Sequence, residues 1–142
     1  MGILTDYFAA TPAEAAACQE HGPLPTDLPQ LAAKWVEPTI LLGQLWAAVD
    51  GVKYNQRRHR GDEEMLEPSD EEGPWVIRIR EECRAAIAGI PDERIPELAA
   101  KWSEAEEWMR PEPDWLAKLI PELRVVARAG IGDRAMYVWI CL

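Results

Sequence analysis

Two periods run through this chain, and they sort it into strands and helices. Residues 75–79, "WVIRI", set Trp75, Ile77 and Ile79 against Val76 and Arg78, the two-residue alternation of a strand. "RAMYVWICL" repeats the pattern, with Met136, Val138 and Ile140 against Tyr137, Trp139 and Cys141, and predicts a β-rich segment over 134–141. "GILTDYFAA" alternates weakly, with β-branched and aromatic residues at its centre, and reads as a strand over 3–9.

Between these lie helical spacings. "TPAE" offers Thr11 as a cap, Pro12 for the first helical position and Glu14 to close a capping box. Leu41, Leu42, Leu45, Trp46 and Val49 form one apolar face, ended by "DG" at 50–51. "EECRAAIAG" places acids in a first turn and Gly89 at the end. Ile95, Leu98, Ala99, Trp102, Ala105 and Met109 continue at helical spacing, with Pro96 in the first turn. Leu116, Leu119, Ile120, Leu123, Val126 and Ala127 make the longest amphipathic stretch, and Pro121 at its middle predicts a kink or a break.

The word "LAAKW" occurs at 31–35 and again at 98–102. The second copy is helical. The first precedes Pro38, which pushes Glu37 out of the α region, so it reads as an extended lead-in or a short edge strand. Similarity ends within eight positions, so the word is reused and no repeat architecture follows. Residues 52–74 carry charge blocks, two glycines and two prolines without apolar periodicity, and read as a charged, solvated loop.

The expected fold is a single α+β domain over 1–142. Strands near 3–9, 75–79 and 134–141 form a small, mostly antiparallel sheet, with about five helices packed on one face. A chain of 142 residues can bury one real core without a metal or disulfide staple.

Charge narrows the partners. The 25 acids and 15 bases give a net charge of −10, a field that repels a phosphate backbone. The best basic patch, "KYNQRRHRG", runs straight into seven acids in "DEEMLEPSDEE", so no nucleic-acid partner is expected. No apolar run reaches membrane-span length, and "MGILTDYFAA" lacks the basic opening of a signal peptide; the expectation is a cytoplasmic chain without a membrane partner. Cys18, Cys83 and Cys141 are too few and too widely spaced for a disulfide framework. With His21 and His59 they make no closed ligand set, so neither metal nor cofactor is expected.

"MGILTDYF", "GPWVIRI", "KWSEAEEW" and "YVWICL" together resemble a set of small actinobacterial proteins of unknown function. "LLGQLWAAVDG" and "LRVVARAGIGDRAMYVW" are more distantly similar to the YfbM-like family. Those resemblances imply an α+β fold and transfer no catalytic residue.

Seven tryptophans are the unusual feature, and they supply the candidate site. Trp102 and Glu106 lie four apart on one helix face, and Glu104 and Glu107 share another. One reading is a cleft with indole walls from Trp102 and Trp108, closed by Tyr54, with Glu106 as its acid. The other puts Trp102 in the core and the glutamates in solvent. An exposed Trp108 would be a recognition anchor. Arg78, if it points inward, needs Glu106 or Glu107; if outward, it is ordinary surface chemistry. No catalytic motif is present: no nucleophile elbow, phosphate-binding loop or dinucleotide glycine pattern. Two functions fit. The first is a non-enzymatic acidic interaction domain for a basic protein, of which an immunity-type inhibitor of a basic toxin is one example. The second is a small-ligand-binding domain or enzyme with a pocket built from Trp and Glu.

Overall fold

The strands at the two ends of the sequence make the centre of the sheet. In the computed structural model, which describes residues 4–23, 27–33, 36–63, 74–105, 108 and 113–141, β1 (Leu4–Ala10) pairs antiparallel with β4 (Ala135–Cys141), from Leu4 opposite Cys141 to Ala10 opposite Ala135. A fourth strand, β2 (Gln30–Ala32), flanks β1, and β3 (Trp75–Arg78) flanks β4. The order is β2-β1-β4-β3, antiparallel throughout. β2 holds the first residues of the early "LAAKW", which is therefore an edge strand, while the later copy is helical. Lys34 and Trp35 fall outside the described residues.

Alternation decides what each face touches. Tyr7, Ala9, Ile77, Met136, Val138 and Ile140 point into the main core. Against them pack α2 (Leu41–Asp50), α4 (Glu81–Ala88), α5 (Ile95–Trp102) and α6 (Pro113–Ala129). The opposite face is not left bare, as helices on one side would have it. Phe8, Ala10, Ala135 and Tyr137 pack there with Ala15 and Cys18, under α1 (Pro12–Ala17). This second cover explains why β1 carries aromatic side chains on both faces and why Tyr137 and Trp139 of β4 face away from the main core.

Local chemistry sets the helix ends. Thr11 and Glu14 form the expected capping box on α1. α2 stops at Gly51, whose φ of 70° is cheap only for glycine. α5 ends at Trp102 rather than running on to 109, and a short 3-10 turn at Asp92–Arg94 precedes it.

α6 passes through Pro121 without the expected break. The proline costs roughly 3 kcal/mol in a helix interior. Against that, the six side chains of the amphipathic face are all buried on both sides of it, at roughly 1.5–3 kcal/mol each for the larger ones. Packing wins, and the helix continues.

The largest departure falls in residues 52–63. Most side chains of this segment are exposed, but it carries a helical turn and three buried positions, His59, Gly61 and Asp62. Asn55 caps a short helix, α3 (Gln56–His59), by accepting from the amides of Arg57 and Arg58. His59 and Asp62 are fully buried, and Asp62 bridges to Ile79 beside the end of β3. Residues 64–73, the rest of the expected charged loop, lie outside the described residues. No helix among the described residues is long and apolar enough to cross a membrane.

Candidate functional site

Tyr54 and Trp102 are brought together. They line one shallow groove of about 270 Å³ between α2, the start of the 52–63 segment and the end of α5. Lys53, Lys101, Gln44 and Glu104 complete its rim. However, both aromatic residues turn their polar ends inward. Trp102 is 1% exposed, and its indole N–H donates to the Leu41 carbonyl at 2.8 Å. The Tyr54 hydroxyl donates to the Thr39 carbonyl at 3.1 Å. Trp102 is thus a core residue that pins α5 to the start of α2.

Trp108 does not stand out as an exposed anchor. It is half-buried, edge-on to Trp102 at 5.2 Å and edge-on to Trp115 at 5.9 Å. Such T-shaped contacts place the positive ring edge against the negative face of the neighbour. Glu106 and Glu107, the candidate acids, lie outside the described residues. Arg78 stays apart from the groove. It points outward from β3, and its partner is Glu63 at 3.5 Å, on the far side of the bridge that Asp62 makes.

A buried polar cluster holds the 52–63 segment in place, and sequence reading missed it. Glu37 caps α2 from outside the helix: its carboxylate accepts from the amides of Thr39 at 2.9 Å, Ile40 at 2.5 Å and Leu41 at 2.6 Å. A carboxylate at this end also meets the positive pole of the helix. The Thr39 hydroxyl donates to Asp62 Oδ2 at 2.9 Å. Arg60 donates to the Asp62 and Glu63 carbonyls. Arg80 donates to the Arg58 and Arg60 carbonyls and lays its guanidinium 5.1 Å from the Trp46 ring.

Two glycines permit the close approach. A Cβ on Gly43 would overlap the His59 carbonyl oxygen, and one on Gly61 would overlap that of Pro38. The only hint in the sequence was an Asn that could cap and glycines that could lie close. The contacts that tie the segment to the rest of the fold, such as Thr39 with Asp62 and Arg80 with the Arg58 carbonyl, join residues 23 and 22 positions apart, which no local pattern encodes.

Burial sets the acid–base character of this cluster. It raises the carboxyl groups of Glu37 and Asp62 above their ordinary range, against the lowering effect of the hydrogen bonds they accept. It also pushes the Tyr7 hydroxyl and the Cys83 thiol well up, so neither is a nucleophile near neutrality. His59 Nδ1 accepts from the Asn55 amide at 3.2 Å. Its ring proton in the neutral form is therefore on Nε2, which faces Asp50 Oδ2 at 3.5 Å. That arrangement spends the only lone pair a general base would need.

Chemically, then, the cluster clamps the 52–63 segment onto α2 and the end of β3. Among the described residues no group of three or more His, Cys, Asp or Glu side chains is placed to hold a metal ion. Comparison with protein families, curated proteins and solved structures finds no match to this chain.

Proposed function

We propose that this chain is a non-catalytic binding domain that presents a carboxylate-rich surface to a basic protein. The observation that carries the reading is the net charge of −10, alongside six arginines engaged by the fold itself. Arg60, Arg80, Arg84, Arg94, Arg124 and Arg128 all donate to the chain's own backbone carbonyls. Meanwhile Glu93, Glu104, Asp114, Glu122 and Asp133 are exposed and make no ion pair among the described residues. Lys53, Arg57, Arg58, Lys101, Lys118 and Arg134 are likewise exposed without an ion pair among the described residues, so it is the net charge of −10 over the whole sequence that would attract and orient a cationic partner. An immunity-type inhibitor of a basic toxin is one concrete form of such a domain.

A small-ligand or enzymatic role for the Tyr54 and Trp102 groove has less support. The groove is small and shallow, and its two aromatic polar groups are already satisfied within the fold. Ligand sites usually aim a few convergent polar groups into an apolar pocket. In the basic stretch at 53–60, Lys53, Arg57 and Arg58 stay exposed while Arg60 is tied to Asp62 and His59 is buried; the net charge of −10 is what disfavours nucleic acid.

Affinity capture from the native extract at about 50 mM and about 300 mM salt tests the proposal. The expected result is a basic protein retained at low salt and released at high salt. Its binding should weaken when Glu93 and Glu104 are changed to Lys. Retention of no basic protein at low salt overturns the reading.

A further inference from the structure

Three of the five large apolar side chains exposed among the described residues are Trp115, Val125 and Ile131, on α6 or in the turn just after it. Trp115, Lys118, Glu122 and Val125 recur at spacings of three, four and three, so they lie along one stripe of the helix. Trp115 is 42% exposed and Val125 63%. Between them sit one cation and one anion, neither engaged in an ion pair among the described residues.

The order along the stripe is apolar, positive, negative, apolar. That order is complementary to itself when reversed. We propose that α6 is a self-association face, on which a second copy of this chain packs antiparallel about a two-fold axis midway between Lys118 and Glu122. Trp115 of each copy then meets Val125 of the other, and each Lys118 meets the other copy's Glu122. An isologous contact of this kind uses the same patch twice and closes on itself.

The indole is a fit anchor. Trp108 braces one edge of Trp115 at 5.9 Å, so little freedom is lost when its open side is covered. One helix pair with its flanks buries on the order of 1,000 Å², at the lower limit of specific interfaces. The dimer is therefore weak and concentration-dependent. Like charges on the two copies oppose it, so the local Lys–Glu pairing decides whether it forms. This face shares Glu122 with the acidic surface, but its test needs no partner protein, so the two proposals fail independently.

The test is sedimentation equilibrium of the purified chain from about 5 to about 200 µM, a range that brackets a weak interface. The parent chain should pass from monomer to dimer. Lys118→Glu and Glu122→Lys should each raise the dissociation constant about ten-fold or more, because each places two like-charge pairs at the contact. An equimolar mixture of these two variants should recover association, since their charges then oppose. The double variant should recover it alone. Val125→Asp, at an exposed position, should abolish association while circular dichroism stays that of the parent. A parent that is monomeric at the highest concentration overturns the proposal. So does a pair of charge variants that dimerise as the parent does, or a mixture that fails to associate.

Discussion

Single side chains carry much of this fold through one polar contact each. Trp102 fills the core and ties its N–H to the Leu41 carbonyl, so it bears on both packing and hydrogen bonding. Trp102→Phe should destabilise the chain by about 2 kcal/mol, the sum of a lost hydrogen bond and a lost ring volume. A urea midpoint unchanged from the parent would contradict this. Asp62 is a different case, a buried carboxyl that burial holds above its ordinary range, facing Thr39, Glu37, Arg60 and Arg80. The folded state then binds its proton more tightly than the unfolded chain does. Its ionisation costs stability near neutrality, and that cost is relieved as the pH falls through the raised value towards the unfolded value of about 3.9. Glu37 acts in the same direction. Glu14 and Glu81 act oppositely, held low by the Thr11 amide and by Arg84, so what they contribute is lost in acid. Replacing Asp62 with Asn keeps an acceptor for Thr39 and removes the titration. The relief of that cost between pH 7 and about pH 4, read from urea curves, should be missing in the variant; a stability change over that range identical to the parent's would count against it.

At the level of elements, legibility followed the kind of contact. β4 and the apolar face of α6 were readable because their side chains bury at a fixed period, and a period survives in the sequence. The Thr11–Glu14 box and Gly51 were readable because capping is local. α3 and its flanks were not. They are held by Thr39 to Asp62, Arg80 to two distant carbonyls, and two glycine contacts with backbone. Each joins positions far apart, and polar residues with no period look like solvated loop. The same reason hid the cap on α2, because Glu37 was visible only as the residue before a proline. Half of the expected site fared likewise: Tyr54 and Trp102 share a groove, while Arg78 found Glu63. Gly43→Ala tests how the segment is seated. Its methyl group meets backbone, which cannot swing aside, so the variant should lose about 2 kcal/mol. Gly89→Ala is the control, since the nearest atom there is 3.4 Å from the added carbon and φ is −86°. Equal thermal midpoints for the two variants would rule out the close approach as a stabilising feature.

On the scale of the molecule, the α+β architecture expected from the sequence is the one observed, a four-stranded antiparallel sheet with helices. The sheet is covered more completely than one layer of helices would give, and that leaves few apolar side chains outside. Among the described residues the exposed side chains include both carboxylates and bases, and the stripe on α6. The two proposed contacts favour different conditions. Contact with a cationic protein weakens with added salt, whereas two copies of an acidic chain repel less as salt rises.

The two strands that sit side by side at the middle of the sheet, β1 and β4, are joined by a long span of chain, with Ala10 lying opposite Ala135. Without residues 135–141, Tyr7 and Phe8 keep only the short β2 beside them. Closing so long a span is entropically slow. Refolding of this chain should therefore be limited by that closure, and deletion of residues 135–141 should yield an aggregation-prone product rather than a smaller folded one.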